Sequence, residues 1–353
     1  MSVSYRPVTW NSNKLVYDLA LLILVVGYIL IFVEVSPNFQ SVTRRVSGAI
    51  FKAQAFGSCA FLMLTLILCI GPLARLDTRF LPLLYNRRHF GVLTCAVAFV
   101  HAAYVISIYF SFSSLDKYAA VLSSNTSFGQ LLGFPFEAFG VFALLVLLIL
   151  AVTSHDFWLH FLTPPVWKAI HMSVYFAYTA IVLHVCLGYL QASSNPIFAM
   201  VVVSSCLAVG GLHFAAGRVE RRKDRMAPEA ADTTPWVIAG NIDEIPADRA
   251  IIVSLEGDER VAVFRHEGGL SALSNVCAHQ NGPLGEGRII DGCVTCPWHG
   301  FQYRVEDGRA PAPFTERIAT YRLKLKGKQV LLDPRACEPG TRVEPIKLPG
   351  DAR

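Results

Sequence analysis

Six apolar runs occupy the first two-thirds of this sequence, and no other feature restricts its fold as strongly. They cover residues 15–33, 56–70, 90–110, 136–152, 170–189 and 197–216. Most approach the roughly 20 residues that a helix needs to cross a bilayer core. The second and fourth are short, but flanking residues such as Ala53 and Ala55 extend them. A lipid-solvated helix satisfies its backbone polar groups internally, so runs of this length predict a transmembrane helical bundle. Composition agrees: of 353 residues 53% are hydrophobic and only 16% charged, less charge than a soluble chain carries. The first residues lack a short apolar core followed by a small-residue cleavage site, so no removable signal peptide is expected.

Basic residues set the expected orientation. One side of the bundle carries Arg6 and Lys14, then Arg75, Arg79, Arg87 and Arg88, then Lys168, then Arg218, Arg221, Arg222, Lys223 and Arg225. The other carries Arg44, Arg45, Lys52 and Lys117. The positive-inside rule places the richer side, with both termini, in the cytoplasm of a bacterial inner-membrane protein. The net charge of +5 is clustered at these edges and gives no reason to expect nucleic acid.

After the sixth run the pattern changes. Residues 217–234 are charged and Ala-rich and read as a juxtamembrane linker. Short β-type runs follow at 236–239, 250–255, 261–265, 270–274, 321–325 and 329–332, separated by turns such as Gly257-Asp258 and Glu267-Gly268-Gly269. The expected architecture is a multidomain membrane protein: a six-helix all-α membrane domain (1–216), the linker (217–234), a small all-β domain (235–334) and a loosely ordered C-terminal tail (335–353).

Within the β domain stand Cys277-Ala278-His279 and Cys296-Pro297-Trp298-His299-Gly300, with sixteen residues between the two halves. Two Cys and two His can hold zinc. Zinc fingers pair Cys with Cys and His with His, whereas each half here offers one thiolate and one imidazole. That order suits a 2Fe–2S cluster with two thiolates on one iron and two imidazoles on the other. Gly282-Pro283-Leu284-Gly285 and Gly300 supply the tight turns such loops need. Of the other cysteines, Cys59, Cys69, Cys95, Cys186 and Cys206 lie in apolar runs and read as small hydrophobes, and Cys293 as a packed loop thiol.

These motifs, continued through Phe301-Gln302-Tyr303 and Asp307-Gly308, resemble the Rieske iron–sulfur family. The resemblance implies that Cys277, His279, Cys296 and His299 ligate the cluster. It is closer to the ferredoxins and oxygenases than to respiratory Rieske proteins. Gly282 and Trp298 stand where the latter carry an extra disulfide, and Phe301 replaces a serine that hydrogen-bonds a cluster sulfur. Fewer donors predict a potential in the lower part of the roughly −150 to +300 mV Rieske range.

Ionisable groups inside a bilayer are costly and each needs a reason. The third run carries His101, with His89 at its cytoplasmic mouth, and the fifth carries His171 and His184. His101 and His184 lie at matched depth on helices running the same way, so two imidazoles facing across the bundle can ligate one haem iron. His155, His160 and His213 lie near helix ends, where solvated or hydrogen-bonded roles are expected. Residues 50–190 resemble the ferric reductase and NADPH oxidase superfamily, and most closely the haem-b membrane subunit of bacterial methionine sulfoxide reductase systems. The residues carrying this resemblance are Gly57-x-x-Ala60, Arg87-Arg88-x-x-Gly91 with His101, Gly140-x-x-Ala143 and Trp167-x-x-x-His171-x-x-x-Tyr175 with His184. It implies haem b at His101 and His184, with His171 and His89 as candidates for a second site.

No Gly-rich dinucleotide loop follows the helices, so a chain built this way depends on a separate electron donor. The expected role is an oxidoreductase component that passes single electrons between a cytoplasmic reductase or ferredoxin, the cluster and membrane haem. A quinone or outer-face acceptor lies at the far end, and the direction of flow is left open. The alternative is a redox-sensing or assembly protein whose membrane domain only anchors the cluster domain.

Overall fold

The structure, a computed structural model, describes residues 12–39, 48–84, 87–155, 158, 162, 164–192, 196–225, 236–255, 259–267, 269–279, 282–298, 300–312 and 314–348. The described residues fall into two compact units, one within 12–71 and 87–213 and the other within 72–84 and 214–348.

The helices are α1 (Ser12–Phe39), α2 (Gly48–Leu76), α3 (Arg87–Phe112), α4 (Lys117–Ser123), α5 (Glu137–Thr153), α6 (Pro164–Met172), α7 (Val174–Leu187) and α8 (Pro196–Arg225), with short turns at Leu81–Leu84 and Tyr189–Ala192. Among the described residues five helical spans are long and apolar enough to cross a membrane: Leu15–Val35, Gly48–Leu76, Arg87–Ile108, Val166–Gln191 and Pro196–Arg222. The shorter apolar helix α5 has 17 residues, about 25 Å at 1.5 Å per residue. The chain is an integral membrane protein with a helical N-terminal region and a small all-β domain behind it. Small residues let the helices approach: Ala143 of α5 packs on Ala177 and Ala180 of α7. Thr65 of α2 meets the Tyr178 hydroxyl of α7 at 3.2 Å, and Tyr28 of α1 donates to Ser58 of α2 at 2.9 Å.

The span Val166–Gln191, which holds the fifth apolar run, is not one helix. It breaks at Ser173, whose hydroxyl and N–H both donate to the Ile170 carbonyl, at 2.6 and 3.0 Å. A serine that bonds the turn before it competes with the helical ladder and bends the chain. The segment read as a linker also differs, because α8 continues through Arg225. Gly217 does not stop it: the following Glu, Arg and Lys residues are good helix formers, and Glu220/Lys223 and Arg221/Asp224 place opposite charges three apart. The rest of that linker, residues 226–235, lies outside the described residues.

In the β domain, one sheet has the order β1 (Val237–Asn241), β10 (Gln329–Leu332), β9 (Leu323–Lys326). A second has β2 (Ala250–Ser254), β3 (Arg260–His266), β4 (Gly269–Ser274), β8 (Thr320–Tyr321). A third has β5 (Arg288–Ile290), β6 (Cys293–Thr295), β7 (Gln302–Arg304). All strand pairings are antiparallel. The apolar run at 321–325 is split between two sheets, Tyr321 pairing with β4 and Leu323 with β10. One apolar cluster, with Val261, Val263, Tyr321, Val330 and Leu332 at 0% exposure, lies between the first two sheets. A second gathers Phe264, Leu273, Leu284, Val294 and Tyr303 beneath the third sheet.

The tail corrects another expectation. Rich in Pro and charge, it nevertheless pairs back onto the domain. Cys337 donates to the Thr320 carbonyl at 2.9 Å, Val343 to Glu306 at 2.8 Å, and Ile346 exchanges two 2.9 Å bonds with Leu270. Leu348 enters the core at 9% exposure. Composition misled because this segment borrows its order from edges already built and, among its described residues, forms no strand of its own. Deleting residues 335–353 is expected to destabilise the domain by at least about 3 kcal/mol, from lost apolar burial and backbone bonds. Thermal melting checks this; an unchanged midpoint would show the tail to be dispensable.

Candidate metal centres

The third sheet presents two loops side by side. The first, after β4, is stapled by Cys277 N–H donating to the Gly282 carbonyl at 2.9 Å and Leu284 N–H to Asn275 at 2.8 Å. The Asn275 side chain accepts from Gly285 N–H at 2.6 Å. The second loop leaves β6 and returns to β7: Cys296 N–H donates to Phe301 at 2.8 Å and Gly300 N–H to Cys296 at 2.9 Å. Cys277 and Cys296 are each 1% exposed and are not disulfide-bonded. A Cβ on Gly282 would lie 2.7 Å from Cys296 Sγ, so the first loop passes against the second thiol only because no side chain intervenes.

His279 buries its Nδ1 and stacks on Phe301, with centroids 4.7 Å apart and planes at 7°. Phe301, which stands where a serine was anticipated in respiratory relatives, thus supports the ring of a candidate ligand. The Tyr303 hydroxyl lies 3.5 Å from Cys277 Sγ. Burial, reinforced by the Cys277 charge, pushes that hydroxyl well above the ordinary tyrosine range, so it keeps its proton and can donate to a Cys277 thiolate. Two buried thiols of unlike loops, an imidazole with a buried Nδ1 and a nearby tyrosine hydroxyl fit an iron–sulfur cluster. His299, the fourth candidate, lies outside the described residues.

In the helical unit, His101 of α3 and His184 of α7 face each other with ring centroids 6.3 Å apart and planes at 83°. His101 Nδ1 is 2.8 Å from the Ala53 carbonyl, and His184 Nδ1 is 3.0 Å from that of Phe136. A carbonyl only accepts, so each Nδ1 carries the proton and donates, and Nε2 becomes the metal-binding nitrogen. Four residues beyond each carbonyl stands a glycine. A Cβ on Gly57 would come within 2.8 Å of the His101 ring, and one on Gly140 within 2.9 Å of His184. The two halves are thus built alike, each with an anchoring carbonyl and a bare backbone beneath the ring. Metal–nitrogen bonds of about 2.0–2.1 Å on either side of one ion put the ring centres roughly 6.3–6.5 Å apart. The pair therefore fits a bis-imidazole haem.

His171 and His89 are held by other groups. The His171 ring stacks on Trp167 at 3.8 Å, its Nδ1 donates to the Trp167 carbonyl at 3.1 Å, and its Nε2 lies 3.4 Å from Ser154 Oγ. His89 Nδ1 is 2.6 Å from Asp18 Oδ2 on α1. His213 pairs with the Tyr175 hydroxyl at 2.8 Å, and His160 lies outside the described residues. The anchoring carbonyls could not be found by motif, since any residue offers one. The glycines were visible, but their contact with the histidines was not.

Comparison with known proteins agrees with both halves. Residues 56–182 match the family described as ferric reductase like transmembrane component, and residues 235–322 match the Rieske [2Fe-2S] domain. The ferredoxin component of the naphthalene 1,2-dioxygenase system of Pseudomonas aeruginosa is 34% identical over 102 residues, which is 29% of this chain and 97% of that protein. The anthranilate 1,2-dioxygenase ferredoxin subunit of Burkholderia cepacia is 35% identical, covering 28% of this chain and 93% of its own length. Among solved structures, the ferredoxin of carbazole 1,9a-dioxygenase from Nocardioides aromaticivorans IC177 aligns at 22% identity and a TM-score of 0.27, over 29% of this chain and all of that one. With the buried thiols in facing loops and paired histidines in a helical bundle, this chain belongs to the Rieske [2Fe-2S] family and carries its cluster domain behind a ferric reductase like transmembrane domain.

Proposed function

We propose that this chain relays single electrons between a cytoplasmic redox protein, the cluster loops and a membrane haem b held by His101 and His184. Membrane electron transfer is what the two matched families have in common; the finer assignment rests on one observation. The 6.3 Å histidine pair, with both Nδ1 atoms anchored, sits in the same chain as the buried Cys277 and Cys296. When bound, the cluster and the haem each take up and release one electron at a time.

The residues hold these groups still and dry. Cys277, His279, Cys296 and His299 grip the cluster, Tyr303 directs its hydroxyl to Cys277 Sγ, and Phe301 backs His279. Ala53 and Phe136 fix the two imidazoles, so their orientation need not change with oxidation state. This reading uses one haem; His89 and His171 remain second-site candidates by motif alone. The arginine-rich edges support a bacterial inner-membrane protein with the cluster domain in the cytoplasm. Two relatives are named as ferredoxin components, which supports a soluble reductase or ferredoxin as the partner on that side. A quinone or an outer-face acceptor is the partner on the other. The histidine and glycine motifs of the membrane domain support a likeness to the haem-b subunits of bacterial methionine sulfoxide reductase systems.

The test is made on the intact chain. A soluble reductase with NADPH should reduce the haem of the wild type, followed at its visible bands. In Cys296→Ser that reduction should fall to background, while dithionite still reduces the haem. Equal enzymatic reduction in both proteins would show that electrons bypass the cluster, and a haem-free wild type would leave only the sensor or assembly role.

A further inference from the structure

One buried carboxylate in the helical unit has no part in the relay described so far. Glu137, the first residue of α5, is 6% exposed. A burial of this kind is costly unless hydrogen bonds compensate it. Here they come from the loop between α4 and α5: Asn125 Nδ2 donates to Glu137 Oε1 at 2.6 Å, and Ser124 Oγ lies 2.7 Å from the same oxygen. α4 itself is anchored by Asp116, whose carboxylate caps the N–H groups of Tyr118 and Ala119.

The neighbour of Glu137 is Phe136, whose carbonyl accepts from His184 Nδ1 at 3.0 Å. The Phe136 ring lies 5.3 Å from the His184 ring, and a Cβ on Gly188 would come within 2.6 Å of it. Phe136 has no side-chain cap of its own at the head of α5. Its carbonyl also accepts from Phe139 N–H at 3.1 Å in the first turn of α5, and the bonds to Glu137 tie the incoming loop to that same turn one residue away. The His101 side needs no such device, because Ala53 lies inside continuous α2.

We propose that Glu137 is a positioning residue for the His184 side of the haem site, clamping residues 124–125 to the head of α5 so that the Phe136 carbonyl holds the imidazole. This rests on the haem reading above. Outer groups that orient a ligating histidine typically change metal affinity by roughly 10–100-fold.

The test uses the full-length protein in detergent, with Glu137→Ala, Glu137→Gln and Asn125→Ala beside the wild type. Haem capture by apomyoglobin and the low-temperature paramagnetic spectrum of the ferric protein are measured. Glu137→Ala and Asn125→Ala should each release haem about ten-fold faster or more and split the ferric signal into more than one ligand geometry. Glu137→Gln, which keeps an acceptor oxygen, should match the wild type. Asn125→Ala lies outside the helix and answers the question even where Glu137→Ala fails to fold. Wild-type release and spectra in Asn125→Ala and Glu137→Ala overturn the proposal, as does a Glu137→Gln protein as impaired as Glu137→Ala. Haem absent from the wild type overturns the haem reading with it, whereas haem lost from His184→Ala but unaffected in the other variants overturns the role of Glu137 alone.

Discussion

Replacing His101 or His184 with Ala should strip the haem bands from the purified protein. Each variant removes one of two imidazoles whose ring centroids face each other 6.3 Å apart, leaving a single candidate ligand in an apolar bundle. The loss should exceed the roughly 10–100-fold expected for an outer-group change, so haem should be undetectable after purification. Gly57→Val should act in the same direction without touching a ligand, because its Cβ would already lie 2.8 Å from the His101 ring. His155→Ala and His213→Ala should keep a full spectrum, since His213 is engaged with Tyr175 and Val209. Absorbance of the dithionite-reduced protein reads all of these, and a full spectrum in His101→Ala would refute the ligand assignment.

Comparable in size is the effect of Cys277→Ser or Cys296→Ser on the cluster domain. Both thiols are buried within the apolar cluster around Phe301 and Tyr303, where a hydroxyl is a poor iron ligand and lacks compensation. The reduced protein should lose its iron–sulfur paramagnetic signal and its acid-labile sulfide. Metal binding contributes folding free energy, so the domain's thermal transition should fall as well. Tyr303→Phe is the graded companion. Removing a donor to Cys277 Sγ should keep the cluster and lower its potential by roughly tens of millivolts. His299→Cys, which exchanges a neutral ligand for an anionic one, should lower it further. A redox titration followed by paramagnetic resonance separates these outcomes, and a zinc-loaded, diamagnetic wild type would defeat the assignment.

Much of this was legible in one dimension. Helices longer than a bilayer is thick show themselves as continuous apolar runs, because lipid solvates every face. The β-type runs that became β1–β4, β8, β9 and β10 alternate or cluster apolar residues, as half-buried strands must. The strands of the cluster-bearing sheet were not legible. β5, β6 and β7 have three residues each, too short for any periodicity to register, and they exist because each pairs with a neighbour that the loops bring alongside. The break at Ser173 was hidden for a related reason. Hydropathy reports the solvent around a helix, whereas the break is made by one hydroxyl finding the Ile170 carbonyl.

Candidate ligands are what the sequence offers: thiolates and imidazoles in mixed loops, and lone histidines in apolar helices, are chemical choices written residue by residue. The support around them belongs to tertiary structure. The Ala53 and Phe136 carbonyls, the close approach at Gly57 and Gly140, the stacking of Phe301 on His279 and the Glu137 clamp all join residues that chain order keeps apart. A backbone carbonyl has no side-chain signature and a glycine's use depends on what passes over it, so only packing could decide which of them matter.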